Sequence, residues 1–232
     1  MAIVLHELCG ADPEIRFSPF CWRARMALAH KGLNYETRPA PFTDIPGIAP
    51  SAGRTVPILT DGDRTICDSW EIARYLEETY PDRPSLFGGG GGFAISKQIE
   101  SWVNASVSSV VVTLVLKDIY DCLAPADQAY FRETRENRFG RSLEAVQEGR
   151  EDRLPSLATA LLPLHLTLKH QPFIGGDTPL YADYILFGTL QWPRIVSGFP
   201  ILQPGKPVSD WFERCLDLFD GLGRSAKRVV AA

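Results

Sequence analysis

The sequence has few cysteines and no pattern that would join them. Its five cysteines are scattered along 232 residues, without a Cys-x-x-Cys pair or a Cys/His cluster. This usage argues against a disulfide framework and against a zinc site, and the four histidines show no spacing typical of metal ligands. We therefore expect free thiols in a reducing compartment, the cytoplasm, and no bound metal.

Long apolar runs and runs of like charge are also absent. No uninterrupted apolar stretch reaches the roughly 18 residues of a membrane span, so we expect no membrane contact. The first seven residues lack the basic segment of a signal peptide. A net charge of -4 argues against a nucleic-acid partner, which requires a basic surface.

Two common active-site motifs are missing as well. The chain has no Gly-x-Ser-x-Gly, which argues against a hydrolase, and no Gly-x-Gly-x-x-Gly after its first strand, so a nucleotide site is unsupported. Its content of 45% apolar and 22% charged residues is ordinary for a globular protein. The length allows one large domain or two small ones.

The first 87 residues alternate strand and helix patterns and predict a small α/β domain. Pro57 lies near the start of a predicted strand, where it is either an edge feature or a cis-proline, and the pattern alone favours the edge. The predicted elements are a strand at 3–8, a helix at 18–31, a strand at 35–38, a hairpin at 56–67 around Asp61-Gly62-Asp63, and a helix starting at 68 or 69.

Five consecutive glycines, 88–92, predict an irregular linker between two domains. Residues 93–232 have helical spacing throughout, and we assign the β-branched run 110–116 to a buried helix because its neighbours are helical. The further predicted helices cover 125–148, 157–168, 183–191 with a stop at Pro193, and 210–219.

Ser18 and Pro19 open the first predicted helix directly after the first predicted strand. A serine followed by proline is a strong helix start, since the hydroxyl caps a free N–H and proline suits the first turn. The positive end of a helix also stabilises an anion such as a thiolate. The pattern alone leaves both roles open for Ser18, a structural cap and a site that stabilises an anion.

Four short motifs, taken with the domain order, resemble glutathione transferases. They are Ser18-Pro19-Phe20-Cys21, Val56-Pro57, Asp68-Ser69 and Ala182-Asp183-Tyr184. The Ser-Pro-aromatic turn, residues 147–155 and residues 218–224 are similar to bacterial glutathione-dependent β-aryl-etherases and to the fungal FuA transferases. One departure is Leu180, which stands where the family has a residue able to cap the core helix; either Thr178 shifts the cap or the cap is weak.

The resemblance implies a thioredoxin-like domain, residues 1–87, followed by an all-helical domain, residues 93–232. It implies a homodimeric transferase in which the thiolate of glutathione, the co-substrate, attacks an electrophilic carbon of a hydrophobic, aromatic substrate, with aryl-ether cleavage as the leading specific expectation. Ser18 would be the catalytic residue. Glutathione binding would fall to Phe20, Thr43, Thr55, Val56, Pro57, Asp68 and Ser69.

Two other functions stay open at this point. The chain could be a non-catalytic carrier of hydrophobic ligands, or a thiol–disulfide reductase or deglutathionylase, although the latter normally has cysteine where Ser18 stands. Asp68 and Ser69 could serve only as helix caps. Cys21 could be a second redox thiol, but we favour inert core packing.

Overall fold

The computed structural model describes residues 3–50 and 55–229. Its first half is built on a four-stranded sheet in the order β2-β1-β3-β4, in which β1 runs parallel to β2 and antiparallel to β3. The elements are β1 (Ile3–Leu8), α1 (Pro19–His30), β2 (Tyr35–Ala40), α2 (Ile45–Ile48), β3 (Ile58–Asp61), β4 (Arg64–Cys67) and α3 (Ser69–Thr79). The α/β prediction for this half is confirmed.

The second half is helical, as predicted. Its elements are α4 (Gly90–Trp102), a π-helical turn (Val103–Val107), α5 (Ser108–Asp121), α6 (Pro125–Phe139), α7 (Leu143–Gln147), a 3₁₀ turn (Arg150–Arg153), α8 (Leu154–Ala160), α9 (Leu162–Thr167), α10 (Tyr181–Val196) and α11 (Pro207–Gly221). The β-branched run that could pass for a strand is part of α5, where Val111 and Val115 are fully buried.

The glycine run corrects one prediction. Gly88 and Gly89 have positive φ angles and make a turn, but Gly90–Gly92 already form the first turn of α4. A Cβ at Gly92 would lie 1.7 Å from the Phe87 carbonyl oxygen, so the helix starts there because the chain can fold back on itself closely. The expectation of an irregular linker is wrong for 90–92, whereas the division into domains 1–87 and 93–232 stays a prediction.

Three predicted helix boundaries are also wrong. α10 continues through Pro193 to Val196. The predicted helix over 125–148 is two helices, because Gly140 adopts a left-handed conformation (φ 65°) that ends α6. The predicted helix over 157–168 is likewise two short helices, α8 and α9, with a proline in the first turn of each. Proline is tolerated in a first turn, so it marks a start here rather than a stop.

Asp183 organises the start of α10 from inside the helix. Its carboxylate accepts hydrogen bonds from the backbone N–H groups of Ile174, Gly175 and Leu180 at 2.7–3.0 Å, and from Trp211 Nε1 at 2.9 Å. Leu180 is the N-cap residue and its side chain accepts nothing. The cap is therefore not shifted to Thr178, and Asp183 satisfies the Leu180 N–H instead.

The two halves meet along α1 and α10. Gly188 of α10 lies against the first turn of α1, so closely that a Cβ there would be 2.3 Å from the Pro19 carbonyl oxygen. The Trp22 and Phe187 rings pack edge to face with centroids 6.0 Å apart, and both are buried. The helix that begins after Ser18 is thus held between the sheet and the helical half.

The continuous helical stretch Gly90–Asp121 is long and apolar enough to cross a membrane, by length and composition alone. Its side chains Val103, Val107 and Val111 are fully buried in the core of this structure. The core helix of a globular domain meets the same criterion, so the stretch gives only weak evidence of membrane insertion.

The motif at 147–155 binds the backbone of α5. Gln147 Oε1 accepts from the N–H groups of Lys117 (2.7 Å) and Asp118 (3.3 Å). The carbonyls of Thr113 and Leu114 accept from Arg153 and Arg150, each at 3.2 Å. These four backbone groups are the i to i−4 partners of one helical turn. We refer to Gln147, Arg150 and Arg153 as the α5 clamp.

Candidate functional site

The topology brings the candidate residues to one edge of the sheet. β1 and β2 are parallel and both end there, so the loops after Leu8 and Ala40 leave from this edge. β3 is antiparallel to β1 and starts at this edge, just after Pro57, while β4 ends there at Cys67. Ser18, Pro57 and Ser69 therefore lie on the same side of the domain although 51 residues of chain separate the first from the last.

Ser18 caps α1 and is 4% exposed. Its Oγ accepts a hydrogen bond from the Cys21 N–H at 3.4 Å, and its carbonyl begins the helical hydrogen bonds through the Trp22 N–H. A hydroxyl that accepts one bond still has its own proton to donate. The geometry thus allows Ser18 to cap the helix and to donate to an anion at the same time.

Cys21 is a core residue. It is 1% exposed, and burial raises the pKa of its thiol to about 12. Burial also raises the pKa of the Cys9 and Cys67 thiols. A thiol reacts through its thiolate, so these groups are poor nucleophiles near neutral pH. The structure therefore supports inert packing for Cys21.

The Val56–Pro57 peptide bond is cis. It stands directly before β3, which pairs with β1 on one side and β4 on the other. The prediction that Pro57 belongs to an edge strand is therefore wrong, because β3 is an inner strand of the sheet. Val56 is 9% exposed. It directly precedes Pro57 and so lies outside the paired part of β3, which starts at Ile58.

Asp68 and Ser69 begin α3 with an unusual backbone. Asp68 has φ 77° and ψ 133°, a region that side-chain-bearing residues seldom occupy. Its Oδ1 accepts from the N–H groups of Trp70 (2.8 Å) and Glu71 (3.2 Å), so the capping role is present. Ser69 Oγ is buried and has no hydrogen-bond partner among the described residues. Strained backbone beside an unsatisfied buried hydroxyl is typical of a binding site.

The remaining predicted glutathione residues differ in their surroundings. Phe20 is 40% exposed, and the Arg23 guanidinium lies 4.5 Å from its ring centre. Thr55 is exposed. Thr43 already donates both its backbone N–H and its hydroxyl to Asp127 Oδ1, each at 2.9 Å. Its expected donors are thus engaged within the protein, which weakens its assignment as a glutathione ligand.

Sequence reasoning missed a buried ionic group between the halves. Arg23 is fully buried on α1, and its Nη1 donates to Glu100 Oε1 at 3.3 Å and its Nη2 to Asn104 Oδ1 at 3.0 Å. Lys97 Nζ donates to the other oxygen of Glu100 at 2.6 Å. An arginine on the otherwise apolar face of α1 was the available signal. The group joins the helix after Ser18 to α4 and to its π-helical turn.

The fold and this edge define a thioredoxin-like domain joined to a helical domain, with a serine at the start of the first helix. Two family sequence models match the chain: "Glutathione S-transferase, N-terminal domain" over residues 17–79 and "Glutathione S-transferase, C-terminal domain" over residues 94–213. The chain belongs to the glutathione S-transferase family, whose N-terminal domain binds glutathione as co-substrate.

Individual relatives agree with this membership. A glutathione S-transferase-like protein, ustS, of Aspergillus flavus is 27% identical over 202 residues, which cover 73% of this chain and 71% of that protein. The crystal structure of the transferase GSTFuA3 from Phanerochaete chrysosporium has a TM-score of 0.78 and 28% identity, and covers 95% of this chain and 92% of its own. The similarity to fungal FuA transferases is thereby confirmed.

A third relative was solved with glutathione bound. The transferase CsGST83044 of Ceriporiopsis subvermispora, in complex with glutathione, has a TM-score of 0.84 and 25% identity, and covers 95% of this chain and 98% of its own. Glutathione as co-substrate is confirmed for this family member.

Proposed function

We propose that the protein activates glutathione through Ser18 and transfers it to an electrophilic carbon of a hydrophobic, aromatic substrate. The observation that carries this proposal is the position of Ser18, whose hydroxyl caps α1 by accepting one bond and keeps its own proton to donate. The substrate thiolate would lie at the positive end of α1.

The energies of these groups suffice for the activation. A free thiol with a pKa of about 8.5 is only a few per cent ionised at neutral pH, and lowering its pKa by two units requires roughly 2.7 kcal/mol. A hydrogen bond to a charged group contributes about 1.5–3 kcal/mol. The helix terminus adds about 0.3–1 kcal/mol. No separate general base is needed.

We assign the γ-glutamyl end of glutathione to Asp68 and Ser69. The unsatisfied Ser69 hydroxyl at the start of α3 is suited to a carboxylate, and the Asp68 carboxylate is suited to the ammonium group. The backbone of Val56, before Pro57, would pair with the cysteinyl part. Phe20 and Thr55 would line the same site, since both are exposed at this edge.

Aryl-ether cleavage is the specific reaction that we favour. The Ser-Pro-Phe turn and the similarity to fungal FuA transferases support it. The motif at 147–155 does not add to this argument, since the hydrogen bonds of the α5 clamp go to the backbone of α5, which is a structural role. The active protein is proposed to be a cytoplasmic homodimer.

The test compares two helix-capping serines. Ser18→Ala should lower kcat on the order of 10²-fold, as removal of one donor to a developing anion does, with little change in glutathione affinity. Ser142 is the control, because its Oγ also caps a helix, α7, by accepting from the Ala145 N–H. Ser142→Ala should lose a similar stability, about 1 kcal/mol, and keep its turnover.

Glutathione consumption would be measured against aryl ethers, chlorodinitrobenzene and isothiocyanates, and the pKa of bound glutathione by the ultraviolet absorbance of its thiolate. Ser18→Ala with unchanged turnover and unchanged thiolate titration would leave Ser18 a cap only. Glutathione binding without turnover of any electrophile would favour the carrier function. If Ser18→Cys gains thiol exchange while the natural protein shows none, the reductase alternative is rejected.

A further inference from the structure

Asp127 lies in the first turn of α6 and is only 2% exposed. Its Oδ2 accepts from the Phe42 N–H at 2.8 Å, and its Oδ1 accepts from the N–H and the hydroxyl of Thr43 at 2.9 Å each. One carboxylate of the helical half thus binds three donors of a single turn in the α/β half. None of the functions assigned so far uses this contact.

The turn that Asp127 holds lies at the edge of the sheet that carries Ser18. Residues 41–44 follow the end of β2, and the Asp44 N–H closes the turn on the Pro41 carbonyl at 3.1 Å. The Phe42 ring packs against Phe17, the residue before Ser18, with centroids 6.5 Å apart. The turn therefore forms a wall directly beside the start of α1.

α6 supplies the rest of the support for this turn. The Phe42 ring packs against both Tyr130 and Phe131, with centroids 5.8 and 5.7 Å away. The Arg135 guanidinium lies 5.5 Å from the Phe42 ring centre. A carboxylate in the first turn of a helix is also favoured by the helix dipole. The segment from Pro41 to Asp44 is thus set by α6 rather than by its own sheet.

We propose that Asp127 is a positioning residue for glutathione, which acts by fixing the turn 41–44 against Phe17 and the binding edge. The inference rests on the proposed function, since it takes the edge beside Ser18 as the place where glutathione lies. It also gives Thr43 a different role from the one expected, as the partner of Asp127 rather than a ligand. Ser18 keeps its own geometry through bonds within α1, so the effect falls on binding and not on chemistry.

The experiment uses the full chain with Asp127→Asn. The amide keeps the shape of the side chain but replaces one of its two acceptor oxygens with an NH2 group, so at least one donor of the turn loses its acceptor. Loss of hydrogen bonds to a charged group predicts a rise of about 10-fold in the KM and Kd for glutathione, with kcat at saturating glutathione within about twofold. Glu133→Gln is the control, since it removes an exposed carboxylate from the same helix.

Thr43 gives a second, milder test of the same contact. Thr43→Val removes only the hydroxyl bond and should raise the glutathione Kd by about threefold, whereas Thr43→Ser should restore it. In the double variant with Asp127→Asn the two effects should be less than additive. If Asp127→Asn does not fold, the Thr43 pair still tests the contact, because an equal glutathione Kd for Thr43→Val and Thr43→Ser overturns the inference.

Lower thermal stability of Asp127→Asn with an unchanged glutathione Kd overturns the inference and leaves a structural contact. So does an equal Kd for Thr43→Val and Thr43→Ser. Failure of the proposed function looks different, because Ser18→Ala would then keep its turnover while the Kd values of the Asp127 and Thr43 variants would still be read by calorimetry.

Discussion

At the scale of single residues, Asp68 combines a cap with a backbone conformation that few side chains adopt. A positive φ at a residue other than glycine costs about 1–3 kcal/mol, and the carboxylate offsets part of this by accepting two N–H groups. Glycine would relieve the strain but has no carboxylate. The aspartate is thus consistent with a requirement for negative charge at this position.

Asp68→Asn separates the charge from the cap. Asparagine keeps an oxygen that can accept both N–H groups and tolerates positive φ, so the unfolding midpoint should stay within about 2 °C. The lost charge should raise the Kd for glutathione about 10-fold. Calorimetric titration measures this, and an unchanged Kd would reduce Asp68 to a helix cap.

At the scale of elements, the α5 clamp shows how a polar motif can serve a helix. Gln147 also donates to Asp118 Oδ1 at 2.8 Å, and Arg150 reaches Asp118 Oδ2 at 2.6 Å. Backbone groups of α5 that face the clamp thus have side-chain partners in addition to their partners within the helix. The motif therefore contributes to the stability of α5.

Gln147→Leu should destabilise the protein by about 0.5–1.5 kcal/mol, because the N–H groups of Lys117 and Asp118 lose the side-chain acceptor that they share in addition to their helical carbonyls. Urea unfolding measures the change, and Glu148→Gln at the neighbouring exposed position is the matched control. Equal stability of the two variants would show that the clamp contributes nothing. The glutathione Kd of folded Gln147→Leu should stay unchanged.

The order of strands and helices could be predicted from the sequence because periodicity and capping are local. Ser18-Pro19 and Asp68-Ser69 each mark the start of a helix, and the capping hydrogen bonds span no more than four residues. The contact of Asp127 with Thr43 could not be predicted, because the two residues are 84 positions apart. The helix dipole alone already explains an acidic residue in a first turn, so Asp127 gave no sign of a distant partner. The prediction of an irregular linker failed at Gly90–Gly92, although the local signal there was strong. Glycine has a poor helix propensity, but only glycine allows the close approach to Phe87 with which α4 starts.

At the scale of the whole molecule, the proposed homodimer can be tested with an exposed side chain on α4. Ile95 is 55% exposed on the outer side of this helix, and an apolar side chain of this size gains from burial between subunits. Light scattering should give about twice the chain mass of 25.7 kDa at micromolar concentration.

Ile95→Glu should shift this mass towards the monomer, because a charge would enter an apolar contact. Leu166→Glu is the control, since Leu166 is 49% exposed on a different helix, α9. A single-chain mass for the natural protein rejects the dimer. If Ile95→Glu shifts the mass no more than Leu166→Glu does, the interface lies away from Ile95.

The contact of Gly188 with Pro19 bears on how such proteins can be recombined. No side chain fits between α10 and the first turn of α1, since a Cβ at 188 would meet the Pro19 carbonyl oxygen at 2.3 Å. A chimera that takes residues 1–87 from this chain therefore needs a second half with glycine at the position of 188. A donor with alanine there would push α10 away from α1, and with it the helix whose first turn carries Ser18. The exchange of halves between relatives is in this way limited by one position, Gly188, where only a hydrogen atom fits in place of a Cβ.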